Sequence, residues 1–402
     1  MPHHEVALIE TLAVGLTLAF VAGLLAVRLR LPPLVGYLIA GIAVGPFTAG
    51  FVADATLAPQ LAEIGVILLM FGVGMHFSVG DLWAVRKIAI PGAIGQIAVA
   101  TALGAGMAHL WGWPLEAGLM FGLALSVAST VVLLRALEDR GLVKSDDGRI
   151  AIGWLVVEDL VMVLALVLLP AFVGPAHPLG AEPRPGGIGV TIVWTLAKVV
   201  VFSILIVVVG GRLFPWLLKR VEKTGSRELF TLAVIALSVG VAFGSAELFG
   251  VSLALGAFFA GMVVHESDLS HRAERELLPL QDVFGALFFV SVGMLFDPAV
   301  LVREPLRLLA VVGIIVVGKS LVAFGIVRLL RGSTQTALTV SAALAQIGEF
   351  SFILATLGVS LGLLSAESQT LIVAGALISI AINPLVFHLV ARPSPKAVRA
   401  AV

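Results

Sequence analysis

The sequence has no cysteine and little charge. Its 402 residues contain no Cys, which excludes disulfide frameworks, thiolate metal sites and cysteine nucleophiles. Charged residues make up 12% of the chain and hydrophobic residues 59%, whereas a soluble domain has about 25% charged residues. The formal net charge is zero, so the sequence shows neither a basic surface for nucleic acid nor an acidic tail. These deficits exclude a soluble enzyme and predict a membrane protein.

Long apolar runs take the place of charged segments. A membrane crossing needs about 20 mostly apolar residues, and on this basis we predict thirteen transmembrane helices. The first apolar run lacks the basic start of a signal peptide, so we retain it as a mature helix. The predicted spans are 6–28, 33–50, 60–78, 88–110, 115–138, 150–173, 189–213, 228–247, 249–266, 281–297, 305–329, 335–362 and 368–391. They define an all-α polytopic membrane fold.

Lysine and arginine orient these spans, because short loops rich in them stay in the cytoplasm. Loops on the side of the N-terminus contain only Arg184, Arg303 and Arg307, whereas loops on the opposite side contain twenty basic residues. The other two, Lys198 and Lys319, lie inside spans. We therefore predict a multi-pass protein of the bacterial inner (cytoplasmic) membrane, with its N-terminus outside and its C-terminus in the cytoplasm.

The two halves of the sequence resemble each other at an offset of 220 residues. Gly36–Gly41 then aligns with Gly256–Gly261, and Leu69–Met75 aligns with Phe288–Met294 one residue out of step. Six spans return the chain to its starting side and a seventh crosses again, so the two six-helix repeats are predicted to be inverted. Inverted repeats are typical of secondary transporters. The predicted divisions are a first repeat (1–188), a linker helix with its cytoplasmic loop (189–225), a second repeat (226–393) and a cytoplasmic tail (394–402).

Two spans contain polar residues near their centres. Ser129 and Thr130 lie in the fifth span, and Gln346, Gly348 and Glu349 lie in its counterpart in the second repeat. Because unwound stretches of such helices can offer backbone carbonyls to an ion, we predict two broken helices that cross at the membrane midplane. Two roles stay open for each kind of residue. The hydroxyls of Ser129 and Thr130 either bind an ion or form hydrogen bonds within and between helices. Glu349 either neutralises the helix ends at the crossing or only forms hydrogen bonds.

Two consecutive acids, Glu158 and Asp159, lie in the sixth span. Asp159 is roughly 13 Å from the cytoplasmic end of the span, close to the centre of a core about 30 Å thick. Ionisable residues at that depth are costly and are usually functional. Successive helix residues point about 100° apart, so the two carboxylates need different partners. Lys319 is the expected counter-ion for one of them, and Lys198 is expected to pack or to extend towards an interface.

With these residues identified, the chain resembles the Kef-type members of the second monovalent cation:proton antiporter family over essentially its whole length. The most specific stretches are Leu31–Gly41, Leu287–Met294 and Gln346–Phe352. The resemblance implies a homodimer in lipid that exchanges K⁺ or Na⁺ for protons by an elevator-type movement. A six-helix core domain would move against a dimerisation domain, and Asp159 would bind cation and proton in turn.

Two features depart from the family pattern. The position before the carrier acid is commonly Asp, Asn or Gln, but here it is Glu158. Related exchangers that have an acid at this position and a lysine in the eleventh span are often electrogenic, and Glu158 with Lys319 is similar to them. Because glutamate departs from the family pattern, the stoichiometry stays open. Kef-type proteins also usually have a cytoplasmic nucleotide-binding domain after the last span, and this sequence contains none after Val402. A fragment and a naturally short member are both consistent with that, and no cofactor is expected within the chain itself.

Three other functions compete with exchange. A gated cation channel would share the broken helices, but the sequence has no filter loop of the kind that channels repeat around a pore axis. A sodium-coupled symporter of an organic anion would need a basic site for its substrate, and Lys319 is already assigned to an acid. An enzyme would need a catalytic set outside the membrane. No residue cluster predicts a metal site, because His265 and His271 lie scattered among loop charges.

Overall fold

The computed structural model describes residues 7–48, 52–53, 57–76, 79–138, 140–173 and 187–390. Arg184 and the predicted tail 394–402 lie outside these ranges. Within them the chain forms helices and no strand. The α-helices are α1 (Ala7–Arg28), α2 (Pro33–Val44), α3 (Leu57–His76), α4 (Val79–Leu110), α5 (Leu115–Ser126), α6 (Thr130–Glu138), α7 (Asp146–Val173), α8 (Gly187–Leu205), α9 (Gly211–Glu222), α10 (Arg227–Phe249), α11 (Leu253–His265), α12 (Ser270–Met294), α13 (Val300–Arg303), α14 (Pro305–Gly313), α15 (Lys319–Leu329), α16 (Thr334–Ala343), α17 (Glu349–Ser360) and α18 (Ala366–Val390).

Ten stretches of the described chain are long and apolar enough to cross a membrane. Three further helices, α2, α11 and α17, are apolar but have only 10–17 residues. They lie where the sequence predicted the spans 33–50, 249–266 and 335–362. The predicted spans 33–50 and 249–266 are longer than α2 and α11, whereas α16 and α17 together occupy the span 335–362, which was predicted to be broken. Short π-helical turns, Ile206–Gly210 and Ile314–Gly318, join α8 to α9 and α14 to α15.

The order of helices recurs along the chain. The helices α1 and α10, α2 and α11, and α7 and α18 start 220 residues apart in each pair, and α5 and α16 start 219 residues apart. Backbone geometry follows the same spacing, because Arg30 has a φ of 61° and Gly250 a φ of 63°. A non-glycine residue in that left-handed region is uncommon. The correspondence at an offset of 220 therefore extends from the sequence to the helices and their connections.

One compact unit comprises the described parts of Met1–Ala22, Tyr37–Phe77 and Val163–Met294. Its helices approach closely through glycine. A Cβ atom on Gly74 would lie 2.1 Å from the carbonyl oxygen of Phe258, and one on Gly261 would lie 2.0 Å from that of Phe71. Small residues at such crossings let helix backbones pack directly, which is how membrane helices associate.

The other compact unit comprises Gly23–Gly36, the described parts of Ser78–Met162 and the described parts of Leu295–Val402. Trp154 and Phe387 are fully buried in its apolar core. In the crossing of α4 with α5, a Cβ atom on Gly104 would lie 2.4 Å from Gly122 Cα. This unit contains helices from both halves of the sequence, and every candidate site residue lies within it.

Candidate functional site

The first predicted break lies between α5 and α6. The helix ends at Ser126, Val127 is extended with φ −96° and ψ 132°, and helical geometry resumes at Thr130. A helix interrupted in this way leaves carbonyl groups free at one end of the gap and N–H groups free at the other. In a buried segment each of these groups needs a partner.

The second break lies between α16 and α17, at residues 344–348. Gly348 is extended with φ −135° and ψ −158°. A Cβ atom at this position would lie only 2.4 Å from Ser129 Cα. The backbones of the two breaks are therefore in contact, and a larger residue at position 348 would push them apart.

Gln346 fastens the two breaks together. Its side-chain oxygen accepts a hydrogen bond from the Ser129 N–H at 2.9 Å, and its Nε2 donates to the Ser129 carbonyl at 3.1 Å. The same Nε2 lies 3.3 Å from the carbonyl oxygen of Ala343 at the end of α16. One buried amide thus satisfies backbone groups of both broken helices.

Two amides that the sequence analysis did not select bond to carbonyls near the ends of α5 and α16. Gln96 on α4 donates to the Ser126 carbonyl at 3.0 Å, and Asn383 on α18 donates to the Ala342 carbonyl at 2.9 Å. Both side chains are fully buried. The available signal was a lone amide inside an apolar span, since an amide buried in hydrocarbon needs a partner.

Two charged side chains bond to further backbone groups, one at each break. The Ala128 N–H, just before α6, donates to Glu158 Oε2 at 2.9 Å, and Lys319 Nζ donates to the Gln346 carbonyl at 3.0 Å. An anion near a helix N-terminus and a cation near free carbonyls both complement the helix dipole. Glu158 and Lys319 are both fully buried but form no direct ion pair in the described part of the chain. The expectation that Lys319 is the counter-ion of this acid stays a prediction.

Asp159 points to a different neighbour. The Thr130 hydroxyl donates to Asp159 Oδ2 at 3.2 Å, while Oδ1 is buried without a hydrogen-bond partner. Beside it, the Ser129 hydroxyl donates to Glu349 Oε2 at 3.1 Å. Consecutive residues at the start of α6 therefore each bond to one carboxylate.

The structure brings the eight predicted site residues together within one compact unit. It buries three acids and one lysine there, namely Glu158, Asp159, Glu349 and Lys319. Their formal charges do not cancel if all are ionised, and an unbalanced buried charge is costly. The site therefore needs positive charge from outside, as protons or as a bound cation.

Lys198 lies in the other unit, near the end of α10, where a Cβ on Gly250 would be 3.5 Å from its Nζ.

Broken helices that meet around buried acids in a polytopic fold define a membrane ion transporter. Residues 16–392 match the family described as sodium/hydrogen exchanger, transmembrane, and the chain belongs to that family. The resemblance seen in the sequence is thereby confirmed. Because relatives in this family are transporters, the family fits the expectation of a protein that is not an enzyme.

Two relatives and one solved structure show how far the similarity extends. The chain is 60% identical over 389 residues to the Escherichia coli K12 protein named "Putative cation/proton antiporter YbaL", covering 96% of this chain and 69% of YbaL. It is 33% identical to the K(+) efflux antiporter 4 of Arabidopsis thaliana, covering 96% of this chain and 64% of that protein. The fold matches the sodium proton antiporter MjNhaP1 of Methanocaldococcus jannaschii with a TM-score of 0.70 and 16% identity, over 95% of this chain and 98% of that one.

Proposed function

We propose that this protein exchanges a monovalent cation, K⁺ or Na⁺, for protons, and that Asp159 binds the two ions in turn. The central observation is the Asp159 carboxylate, which is buried beside two broken helices with Oδ1 unpartnered. Membership of a cation/proton antiporter family supports the ion class. Ser129 and Thr130 would complete the site with hydroxyl and backbone oxygens.

Coupling follows from the cost of a bare charge inside the bilayer. Asp159 avoids that cost either by binding a proton or by binding a cation, and one carboxylate oxygen cannot serve both at once. A site that crosses the membrane only when neutralised then exchanges one ion for the other. The protein needs no further energy source, because the gradient of either ion drives the other.

We further propose that the chain has thirteen spans in two inverted repeats. The recurring order of helices supports the repeat, and so does the contact between Ser129 and Glu349, which lie 220 residues apart. Positions that are equivalent in the two repeats come together close to the two-fold axis that relates those repeats. The basic residues support an inner-membrane orientation with the N-terminus outside and the C-terminus in the cytoplasm.

An elevator-type movement is our proposal for alternating access. The compact unit that contains the site draws on predicted spans 88–110 and 115–138 of the first repeat, on span 150–173 as far as Met162, and on the last three spans of the second repeat. This composition supports its role as the moving core. The other unit would provide the scaffold and the contacts of a homodimer. The resemblance also implies a cytoplasmic nucleotide-binding domain that regulates exchange, and this partner stays a prediction.

The test of exchange uses the purified chain in liposomes with an imposed pH gradient. Pulses of K⁺ or Na⁺ should dissipate the gradient, and Asp159→Asn should abolish this response while the protein still folds. Glu116→Gln is the matched control, because Glu116 is an exposed acid at the start of α5. A wild-type protein that responds to no alkali cation would refute exchange, and a fully active Asp159→Asn would refute the carrier assignment.

A further inference from the structure

We propose that Glu349 is a second ligand of the transported cation, so that the exchange site has two carboxylates rather than one. This inference rests on the proposed exchange at Asp159. It goes beyond a structural role for Glu349, in which the side chain would only fasten the crossing through its bond to Ser129.

Hydrogen bonds place the two carboxylates at the same end of α6. Ser129 donates to Glu349 Oε2 at 3.1 Å and the next residue, Thr130, donates to Asp159 Oδ2 at 3.2 Å. Asp159 Oδ1 has no hydrogen-bond partner although the residue is only 3% exposed. A buried carboxylate oxygen needs a partner, and oxygen is the ligand type that hard cations prefer.

The four buried charges separate into two pairs. Glu158 and Lys319 are completely inaccessible and bond to backbone groups at the two breaks, Glu158 to the Ala128 N–H and Lys319 to the Gln346 carbonyl. Asp159 and Glu349 each remain 3% exposed. Both accept a hydrogen bond from one of two consecutive residues, Asp159 from Thr130 and Glu349 from Ser129. The hydrogen bonds therefore pair Asp159 with Glu349 at the start of α6.

No lysine or arginine of the described chain forms an ion pair with Asp159 or Glu349. Their side-chain hydrogen bonds in that part of the chain come from the neutral hydroxyls of Thr130 and Ser129. Two acids that are close together in a poorly solvating site require external positive charge. A monovalent cation shared by both carboxylates, together with one proton, would supply it. Loss of either carboxylate should then weaken cation binding.

Substitution by glutamine separates this role from a structural one. The glutamine in Glu349→Gln has nearly the same shape, and its amide oxygen can still accept the Ser129 hydroxyl. If Glu349 had only a structural role, cation transport would therefore tolerate the change to glutamine. If Glu349 is a cation ligand, cation binding would weaken, because the change removes the charge. Glu349→Asp retains the charge and serves as the conservative variant, and Glu116→Gln controls for loss of an acid elsewhere.

The experiment measures the initial rate of gradient dissipation in liposomes against K⁺ and Na⁺ concentration. We expect Glu349→Gln to raise the KM for the transported cation at least tenfold, with Glu349→Asp within about threefold of the wild type and Glu116→Gln unchanged. In detergent, the rise in Tm on adding K⁺ or Na⁺, relative to choline, should shrink in Glu349→Gln although its Tm in choline is retained.

An unchanged KM and an unchanged cation-dependent Tm rise in folded Glu349→Gln would overturn the inference. A tenfold KM increase in Glu349→Asp equal to that in Glu349→Gln would also overturn it, since charge would not be the cause. If Glu349→Gln does not fold while Glu349→Asp does, a KM within threefold in Glu349→Asp supports a role for the charge. These results differ from failure of the proposed function, in which the wild-type protein itself shows no exchange.

Discussion

Consecutive side chains on α7 perform different tasks because the helix turns about 100° per residue. Glu158 accepts the Ala128 N–H, whereas Asp159 accepts the Thr130 hydroxyl. The first acid is completely enclosed, and the second retains slight exposure. The expectation that the two carboxylates face different partners thus agrees with the geometry, and it suggests that one acid serves stability and the other transport.

The Glu158 and Lys319 pair yields a prediction about stability. In Glu158→Gln the amide oxygen can still accept the Ala128 N–H, but Lys319 loses its opposing charge. Leaving a buried charge uncompensated costs about 3 to 5 kcal/mol, so the free energy of unfolding and the Tm should fall. Exchange should persist with altered coupling. The double variant Glu158→Gln with Lys319→Gln should recover much of the loss, since no unpaired charge remains.

A double-mutant cycle of Tm values for the wild type, both single variants and the double variant measures this coupling. Strictly additive losses would show that the two charges do not interact. Recovery in the double variant would show that the two charges interact, although Lys319 Nζ donates to the Gln346 carbonyl rather than to a carboxylate.

At the scale of elements, the sequence predicts the helix breaks but not the groups that satisfy them. Small and polar residues around Ser129 and Gly348 pointed to both interruptions, because such residues tolerate unwound backbone. The partners Gln96 and Asn383 lie about 30 and 41 residues from the carbonyls they bond. Sequence spacing gives no register between neighbouring helices, so these contacts could not be predicted.

Helix length was also misjudged for a physical reason. The rule of about 20 residues per crossing assumes a helix exposed to the full hydrocarbon thickness. Most residues of α2 and α11 are buried against neighbouring helices. An element enclosed in this way can be shorter, since neighbouring helices satisfy the backbone around its ends.

The crossing of α4 with α5 provides a prediction with an internal control. In Gly104→Ala the new Cβ would lie 2.4 Å from Gly122 Cα, so the helices must separate, at a cost of about 1–3 kcal/mol for overpacking. Gly106→Ala lies on the same helix with no atom within 4 Å of its new Cβ. It should leave stability unchanged or raise it by about 0.5–1 kcal/mol, because alanine favours the helix.

Thermal unfolding in detergent compares the two alanine variants. The Tm of Gly104→Ala should lie clearly below that of the wild type, and the Tm of Gly106→Ala should equal or exceed it. Equal Tm values for the two variants would mean that α4 and α5 do not pack as closely as the structure indicates.

At the scale of the whole molecule, the sequence reveals a repeat but not the way in which its parts assemble. The offset of 220 residues divides the chain into consecutive halves, whereas each compact unit takes helices from both. Contacts such as that between Ser129 and Glu349 join residues far apart in sequence. Hydropathy and charge describe each span separately, so they do not specify which spans pack together.

The number of crossings can be tested directly because the chain has no native cysteine. Thr224 and Val302 are both exposed, the latter by 83%, and three predicted spans separate them, including the one that contains the short helix α11. Three crossings place the two positions on opposite sides of the membrane. We expect an impermeant maleimide to label Val302→Cys on intact cells and Thr224→Cys only in inside-out vesicles. Labelling of both from one side would show that one of the three segments does not cross, and the thirteen-span topology would fail. Labelling of Thr224→Cys alone on intact cells would keep the number of crossings odd but reverse the orientation inferred from the basic residues.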